Sequence, residues 1–197
     1  NRGSWGGRYE LYKPDFSKTK KGNSIVEIGA EKRAIWTNAI DNYTPHIPSK
    51  YGRSVKPDST SFTGFKETLW RWRDDFNNDF AARMDWCTMS FENANHPPVP
   101  VLSHPQEFEV KSGQAFTLDA LDSKDPDGDN LSFLWFHYPE ESSYKEKINL
   151  GADNVHIVHA TAPKVTKKET LHFILKVTDK GSPALSRYKR VIVTVTP

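Results

Sequence analysis

Between Leu69 and Trp86 the apolar positions Leu69, Trp72, Phe76, Phe80 and Met84 recur at three- and four-residue steps with no glycine or proline among them. That spacing predicts an amphipathic helix with this stripe against a core. On another side, Arg71, Asp75, Asp79 and Arg83 follow at i, i+4, with Asp79 ahead of Arg83 in the favourable order. The polar stripe reads in two ways: a solvated, salt-bridged face, or a face on which Asn78 and Asp79 point into a polar site. Upstream, residues 31–43 place Ala34, Ile35, Ala39 and Ile40 on a second helix, and residues 24–28 fit a strand or helix start. Residues 44–64 are rich in proline, serine and glycine. A connection that long inside a compact domain is either functional or disordered.

After the four prolines between Glu92 and Pro105, which favour an extended linker or edge strand, the apolar period changes. Residues 113–121, 129–138, 154–162, 169–179 and 187–197 are short β-rich segments, many alternating, separated by turn residues. Their spacing predicts an all-β, immunoglobulin-like sandwich over 97–197. Trp135, with Leu131 and Phe133, belongs on the core face of one strand, and Leu134, Phe136 and Tyr138 on the opposite face. With Tyr144, Phe136 and Tyr138 either form an apolar patch suited to a glycan or a partner, or pack against the first domain. The turn Asp125–Asp129 carries three carboxylates, with Gly128 allowing a sharp bend. Asp125, Asp127 and Asp129, helped by Asp119, Asp122 or Asp179, are candidate calcium ligands; equally, aspartates are good turn formers.

Charge and cysteine content narrow the function classes. The net charge is 27 − 25 = +2 with no basic tail, which argues against nucleic acid and against an anionic membrane surface. No apolar run reaches the length of a membrane span, and the N-terminus lacks a signal-peptide pattern. The chain lacks an initiator methionine, which fits a mature product or a piece of something longer. The single cysteine, Cys87, excludes an internal disulfide and a cysteine-rich metal site, and its place beside the apolar stripe fits a buried structural thiol. His156 and His159 have no carboxylate at a zinc-motif spacing. No phosphate-binding glycine loop or nucleophile elbow occurs. Hydrophobic residues make up only 36% of the chain while 12% are aromatic, so the surface carries more rings than a core needs. Near the N-terminus, Gly6 and Gly7 between Trp5 and Arg8 suit a tight loop that either holds a ligand or is a turn pinned by a buried tryptophan.

The motifs SWGGRYELY, IWTNAID, LWRWRDDFNNDFAARMDW and ANHPP, in that order, resemble the C-terminal part of bacterial nucleoside-hydrolase-like proteins whose tail is a cellulose-binding-protein C-terminal domain. The resemblance covers most of residues 1–98. DSKDPDGDNLSFLW is similar to polycystic-kidney-disease-type and cadherin-like modules, in which an aspartate-rich turn precedes a strand with an aromatic-x-Trp pair. What this implies is an α+β chain. Residues 1–96 would be an incomplete, helical and loop-rich tail of a nucleoside-hydrolase-like α/β domain, and residues 97–197 the sandwich.

The resemblance also implies functional residues. Asn78-Asp79 is similar to the His-Asp pair that opens a late helix in nucleoside hydrolases, which would make Asp79 a calcium ligand and Asn78 a sugar-hydroxyl contact. Asparagine replaces the histidine, and the upstream aspartate cluster of those enzymes is missing here, so no catalytic residue is assigned. One expectation is that the chain is the carbohydrate-binding portion of a secreted, periplasmic or cell-surface bacterial protein, holding cellulose or another plant cell-wall glycan. Trp5, Arg8, Trp70, Asn78, Phe136, Tyr138 and Tyr144 would then be the sugar contacts. Alternatives are the completing half of a glycosidic-bond hydrolase, with the upstream region of the same polypeptide as partner, and a structural spacer.

Overall fold

The computed structural model describes residues 41–43, 61–64, 67–139 and 141–197. Trp5 and Arg8 lie outside them, as do the segment 24–28 and most of the helix expected over 31–43. The chain divides into two compact units, Asn1–Arg73 and Asp74–Pro197, earlier in the chain than the family boundary expected at 96/97.

In the first unit, β1 (Asp41–Tyr43) pairs antiparallel with β2 (Phe62–Gly64), followed by a single helical turn, α1 (Glu67–Trp70). The helix α2 (Arg73–Asp85) belongs to the second unit from Asp74 on; a 3-10 turn at Phe91–Asn93 follows, and the other described elements of that unit are strands. These are β3 (Glu107–Lys111), β4 (Ala115–Asp119), β5 (Ser132–His137), β6 (Ile157–Thr161), β7 (Glu169–Thr178) and β8 (Ser186–Thr196). A four-stranded sheet has the order β3-β8-β7-β5, and β4 and β6 form a second, two-stranded sheet. The β3–β8 pair is parallel and the others are antiparallel. The described chain is therefore sheet-rich, with one helix longer than a single turn.

Alternation along the strands sets the core. Val191, Val193 and Val195 on β8 face the same side as Leu171, Phe173, Leu175 and Val177 on β7 and Trp135 on β5, and all of them are fully buried. Phe116 and Leu118 of β4 and Val158 and Ala160 of β6 complete one apolar cluster between the two sheets. Leu131 and Phe133 pack against it from its edge, as their spacing from Trp135 predicts. β7 is also buried at Ile174, on its other face, so that the alternation there is incomplete. The proline-rich stretch runs extended and is tied to the Asp125 turn by a two-way bridge, Val99 N–H to Lys124 O at 2.8 Å and Lys124 N–H to Val99 O at 3.2 Å. Among the described residues no helix is long and apolar enough to cross a membrane.

Candidate functional site

The helix α2 meets the sheet with the face that the apolar spacing assigns to solvent. Its buried residues are Asp79 and Ala82, whereas Phe80 and Met84 are 63% and 48% exposed. The reason is the surface on offer. The side of β7 and β8 away from the core carries Lys176, Ser186 and Tyr188, and all three donate to the Asp75 carboxylate. Lys176 Nζ lies 2.6 and 2.8 Å from its two oxygens, and Ser186 Oγ lies at 2.9 Å. One turn on, Asp79 accepts from Arg83 Nε at 2.7 Å and from Arg187 at 3.3 Å. Asn78 Nδ2 donates to the Ala184 carbonyl at 2.9 Å. A carboxylate taken out of water must regain its lost hydrogen bonds from protein donors. Asp75 and Asp79 thus clasp the helix to the strands, while Arg83 stays exposed in its i, i+4 ion pair with Asp79.

Beyond α2 the chain gathers aromatic rings on its surface. Trp86 and His96 are stacked, with centroids 6.4 Å apart and planes 11° from parallel, and Phe91 lies 4.0 Å from the His96 ring. The Arg83 guanidinium sits 5.7 Å from the Trp86 ring centre, within cation–π range. Three contacts fix the group. Trp86 Nε1–H donates to Asn95 O at 2.8 Å, Asn95 Nδ2 donates to Pro183 O at 2.8 Å, and Asp127 holds His96 through the backbone N–H at 2.6 Å and the ring Nδ1 at 2.9 Å. Burial opposes ionisation of Asp127, but the His96 contacts outweigh it and hold its carboxyl below the usual aspartate value. Phe91 is 73% exposed, the most exposed large hydrophobic residue among those described. An exposed ring seated on a second, braced ring offers the flat apolar surface on which the face of a pyranose can pack.

Only part of the expected site is found near this surface. Asp127 belongs to it, but as the partner of His96. Asp125 Oδ1 caps its own turn, accepting from the N–H groups of Asp127 at 2.8 Å and Asp129 at 3.2 Å, and Gly128 takes φ +82. Asp79 has both oxygens committed to arginines. Among the described residues no three acidic, histidine or cysteine side chains stand together as a metal site, while Asp125 Oδ2 is buried without a hydrogen-bond partner. Trp70, at the end of α1, is 47% exposed. Phe136 lies half-buried on the outer face of β5, Tyr138 is only 3% exposed, and Tyr144 packs at the core edge with its hydroxyl donating to Glu146 at 3.0 Å. These three make no open apolar patch. Cys87, expected to be buried, is exposed, as are Phe80 and Met84 at the end of the apolar stripe beside it, whereas Trp72 at its start is buried. Sequence reasoning missed Trp86, Phe91 and His96 as a group. The available signal was three rings within the eleven residues just before a proline pair, without a period that would place them in a core.

Residues 115–195 match the family model of the cellulose-binding protein Sde0182, C-terminal domain. The match runs from β4 into β8, so Trp86, Phe91 and His96 precede it. Among solved structures, the chain is 33% identical to a nucleoside hydrolase-related hypothetical protein from Saccharophagus degradans that is associated with carbohydrate metabolism, with a TM-score of 0.63. That likeness covers 71% of this chain and 36% of the other, so the chain spans about a third of that protein's length. A sialyltransferase from Photobacterium damsela reaches a TM-score of only 0.33 at 14% identity, over 46% of this chain and 17% of its own, too little to carry an argument. No curated protein matches. Both halves of the resemblance read from the sequence, the cellulose-binding C-terminal domain and the nucleoside-hydrolase relation, are therefore found.

Proposed function

We propose that this chain is a carbohydrate-binding portion of an exported, polysaccharide-associated bacterial protein, and that Phe91, braced by His96 and Trp86, is its sugar platform. The observation that carries this reading is the 73% exposure of Phe91 on a ring stack held from beneath by Asn95 and Asp127. A free side chain would lose rotamer entropy on stacking with a sugar; a braced one has already lost it. The family match and the solved relative, both linked by name to cellulose or carbohydrate, support this class of ligand. We read the second unit as an immunoglobulin-like sandwich that presents the platform, and the region upstream of such a chain as nucleoside-hydrolase-like. The hydrolase reading finds less support in the described residues, since Asp79, its expected metal ligand, is neutralised by Arg83 and Arg187.

The test is depletion of the protein from solution by insoluble cellulose, and affinity electrophoresis in soluble β-glucans, with calcium or with chelator. Wild type is retained in both conditions, and Phe91→Ala weakens retention about tenfold, as losing one stacked aromatic contact should. Retention unchanged in Phe91→Ala would remove the platform from the binding surface. Loss of retention on chelation would restore a metal to the site.

A further inference from the structure

At the edge of the two-stranded sheet, the strands and the loop preceding β6 border an open surface groove of about 440 Å³, lined by Lys147, Ile148, Asn149 and Gly151 from the loop and by Ala115 and His159–Thr161 from the strands. It lies wholly within the stretch that matches the family model. Its floor is apolar and firm: Ile148 and Ala160 are buried and belong to the core cluster. Its walls are polar and partly fixed. Thr117 Oγ1 and His159 Nδ1 are 3.1 Å apart, which orients the imidazole and leaves Nε2 as the uncommitted ring nitrogen. Asn149 Oδ1 accepts from the Gly151 N–H at 2.9 Å, in a turn that needs φ +67 at Gly151. With that oxygen engaged, the amide offers its N–H groups to a ligand. Lys147 forms no ion pair among the described residues. The nearest acidic neighbour in sequence, Glu146, does not line the groove and takes the Tyr144 hydroxyl.

We infer that this groove is a second saccharide subsite, selective for a sugar carrying an anionic group, a uronate carboxylate or a sulfate ester. This deepens the carbohydrate reading and rests on it, but on a different surface from Phe91. The lining supplies a lysine ammonium, an amide N–H, a hydroxyl and an imidazole, and contains neither a carboxylate nor a phenylalanine, tyrosine or tryptophan ring. A neutral glucan would find no stacking platform and no strong acceptor for its hydroxyls. An acidic sugar finds a charge-assisted hydrogen bond from Lys147, further donors, and an apolar floor for its C–H face. The protein as a whole is only weakly basic, so the selectivity is local rather than a general attraction for polyanions.

The test compares oligogalacturonate, a sulfated galactan oligosaccharide and a cello-oligosaccharide by calorimetric titration against wild type, Lys147→Glu, Lys147→Arg and Phe91→Ala. Thermal melts of each variant establish that it is folded. Expected is an acidic oligosaccharide bound with an affinity that falls about tenfold in Lys147→Glu, holds in Lys147→Arg, and weakens with salt. The cello-oligosaccharide should be indifferent to Lys147→Glu, and the acidic one largely indifferent to Phe91→Ala. The tighter of the two acidic ligands names the anion. Equal binding of acidic and neutral oligosaccharides, or no effect of Lys147→Glu on either acidic one, overturns the subsite. Loss of every ligand in Phe91→Ala overturns it too, while leaving the platform standing. Binding of acidic ligands with no binding of the neutral one removes the platform and leaves the groove.

Discussion

On one face of the four-stranded sheet, Trp135, Phe173, Leu175, Val191 and Val193 meet β4 and β6 with the unpartnered Trp135 indole N–H as the one polar side-chain group among these five; on the other, the Asp75 carboxylate gathers Lys176, Ser186 and Tyr188 and so helps hold α2 in place. The two coverings rest on different physics. Apolar burial is roughly proportional to area and indifferent to direction, so it tolerates volume-conserving exchange and punishes holes. The clasp is directional. Its Coulombic gain is largely offset by desolvation, so its net contribution is small while intact, but losing one member leaves the others short of a partner. The core makes the sheet stable, and the clasp decides where the helix sits.

The largest effect should come from the apolar face. Trp135→Ala removes the largest fully buried side chain and should cost about 3–5 kcal/mol in chemical denaturation. On the other face, Asp75→Ala should cost less, about 2 kcal/mol, because Lys176 keeps some access to water. Hydrogen exchange would then rise in α2 before it rises in β7 or β8. A double variant, Asp75→Leu with Lys176→Met, should recover much of that loss; if it is no better than Asp75→Ala alone, the cost is one of packing and not of stranded charge.

An intermediate effect comes from acid. His137, at the end of β5, donates from Nε2 to Ser142 Oγ at 3.0 Å, since the serine's own hydrogen goes to Tyr138 O at 2.8 Å. Its Nδ1 is buried without a partner. Burial first, and the Lys145 charge second, push its pKa down to about 4. A histidine depressed in the fold is neutral there while the unfolded chain takes up its proton. Stability should therefore fall as pH drops from about 6.5 towards 4, by about 1–2 kcal/mol once the partial exposure of the ring is discounted. Asp179 works against this, because burial first and nearby Asp125 last raise its pKa in spite of hydrogen bonds from Leu185, Gly181 and Asn95. It gains a proton earlier in the folded state and favours folding on the acid side. Urea titrations of wild type and His137→Gln across that range separate the two contributions: the variant should lose the downward slope.

The smallest effect is the most telling for the helix. Phe80→Gln should change stability by no more than about 0.5 kcal/mol, as for an exposed position. A loss of several kcal/mol would mean that the apolar stripe of α2 is covered after all.

The β-rich half of the chain was legible because alternation over five segments leaves one consistent choice of core face, and Trp135 with its neighbours Leu131 and Phe133 lies where that choice puts it. The helix was legible as a helix but not in its orientation. A three-and-four spacing of Trp72, Phe76, Phe80 and Met84 says that these residues share a side, not which surface that side meets. Here the surface beside α2 is polar, because β7 and β8 present Lys176, Ser186 and Tyr188 at alternate positions, and carboxylates answer it better than phenylalanine does. The ring cluster was hidden for a related reason: Trp86, Phe91 and His96 sit where no period relates them, and the contacts that bring the rings together run to Pro183, through Asn95, and to Asp127, both distant in sequence.

The order of strands bears on how the molecule is made. β8 lies between β3 and β7 and is parallel to the first of them, yet a ribosome delivers it after both. Until then β3 has no neighbour in its sheet, and β7 and β5 form at most a hairpin-like pair with an open edge. The sheet cannot be completed progressively from the N-terminal side during synthesis. It must wait for one late segment, the valine-rich run 191–195, to insert between waiting partners, and nascent chains stalled short of it should be the ones that chaperones hold.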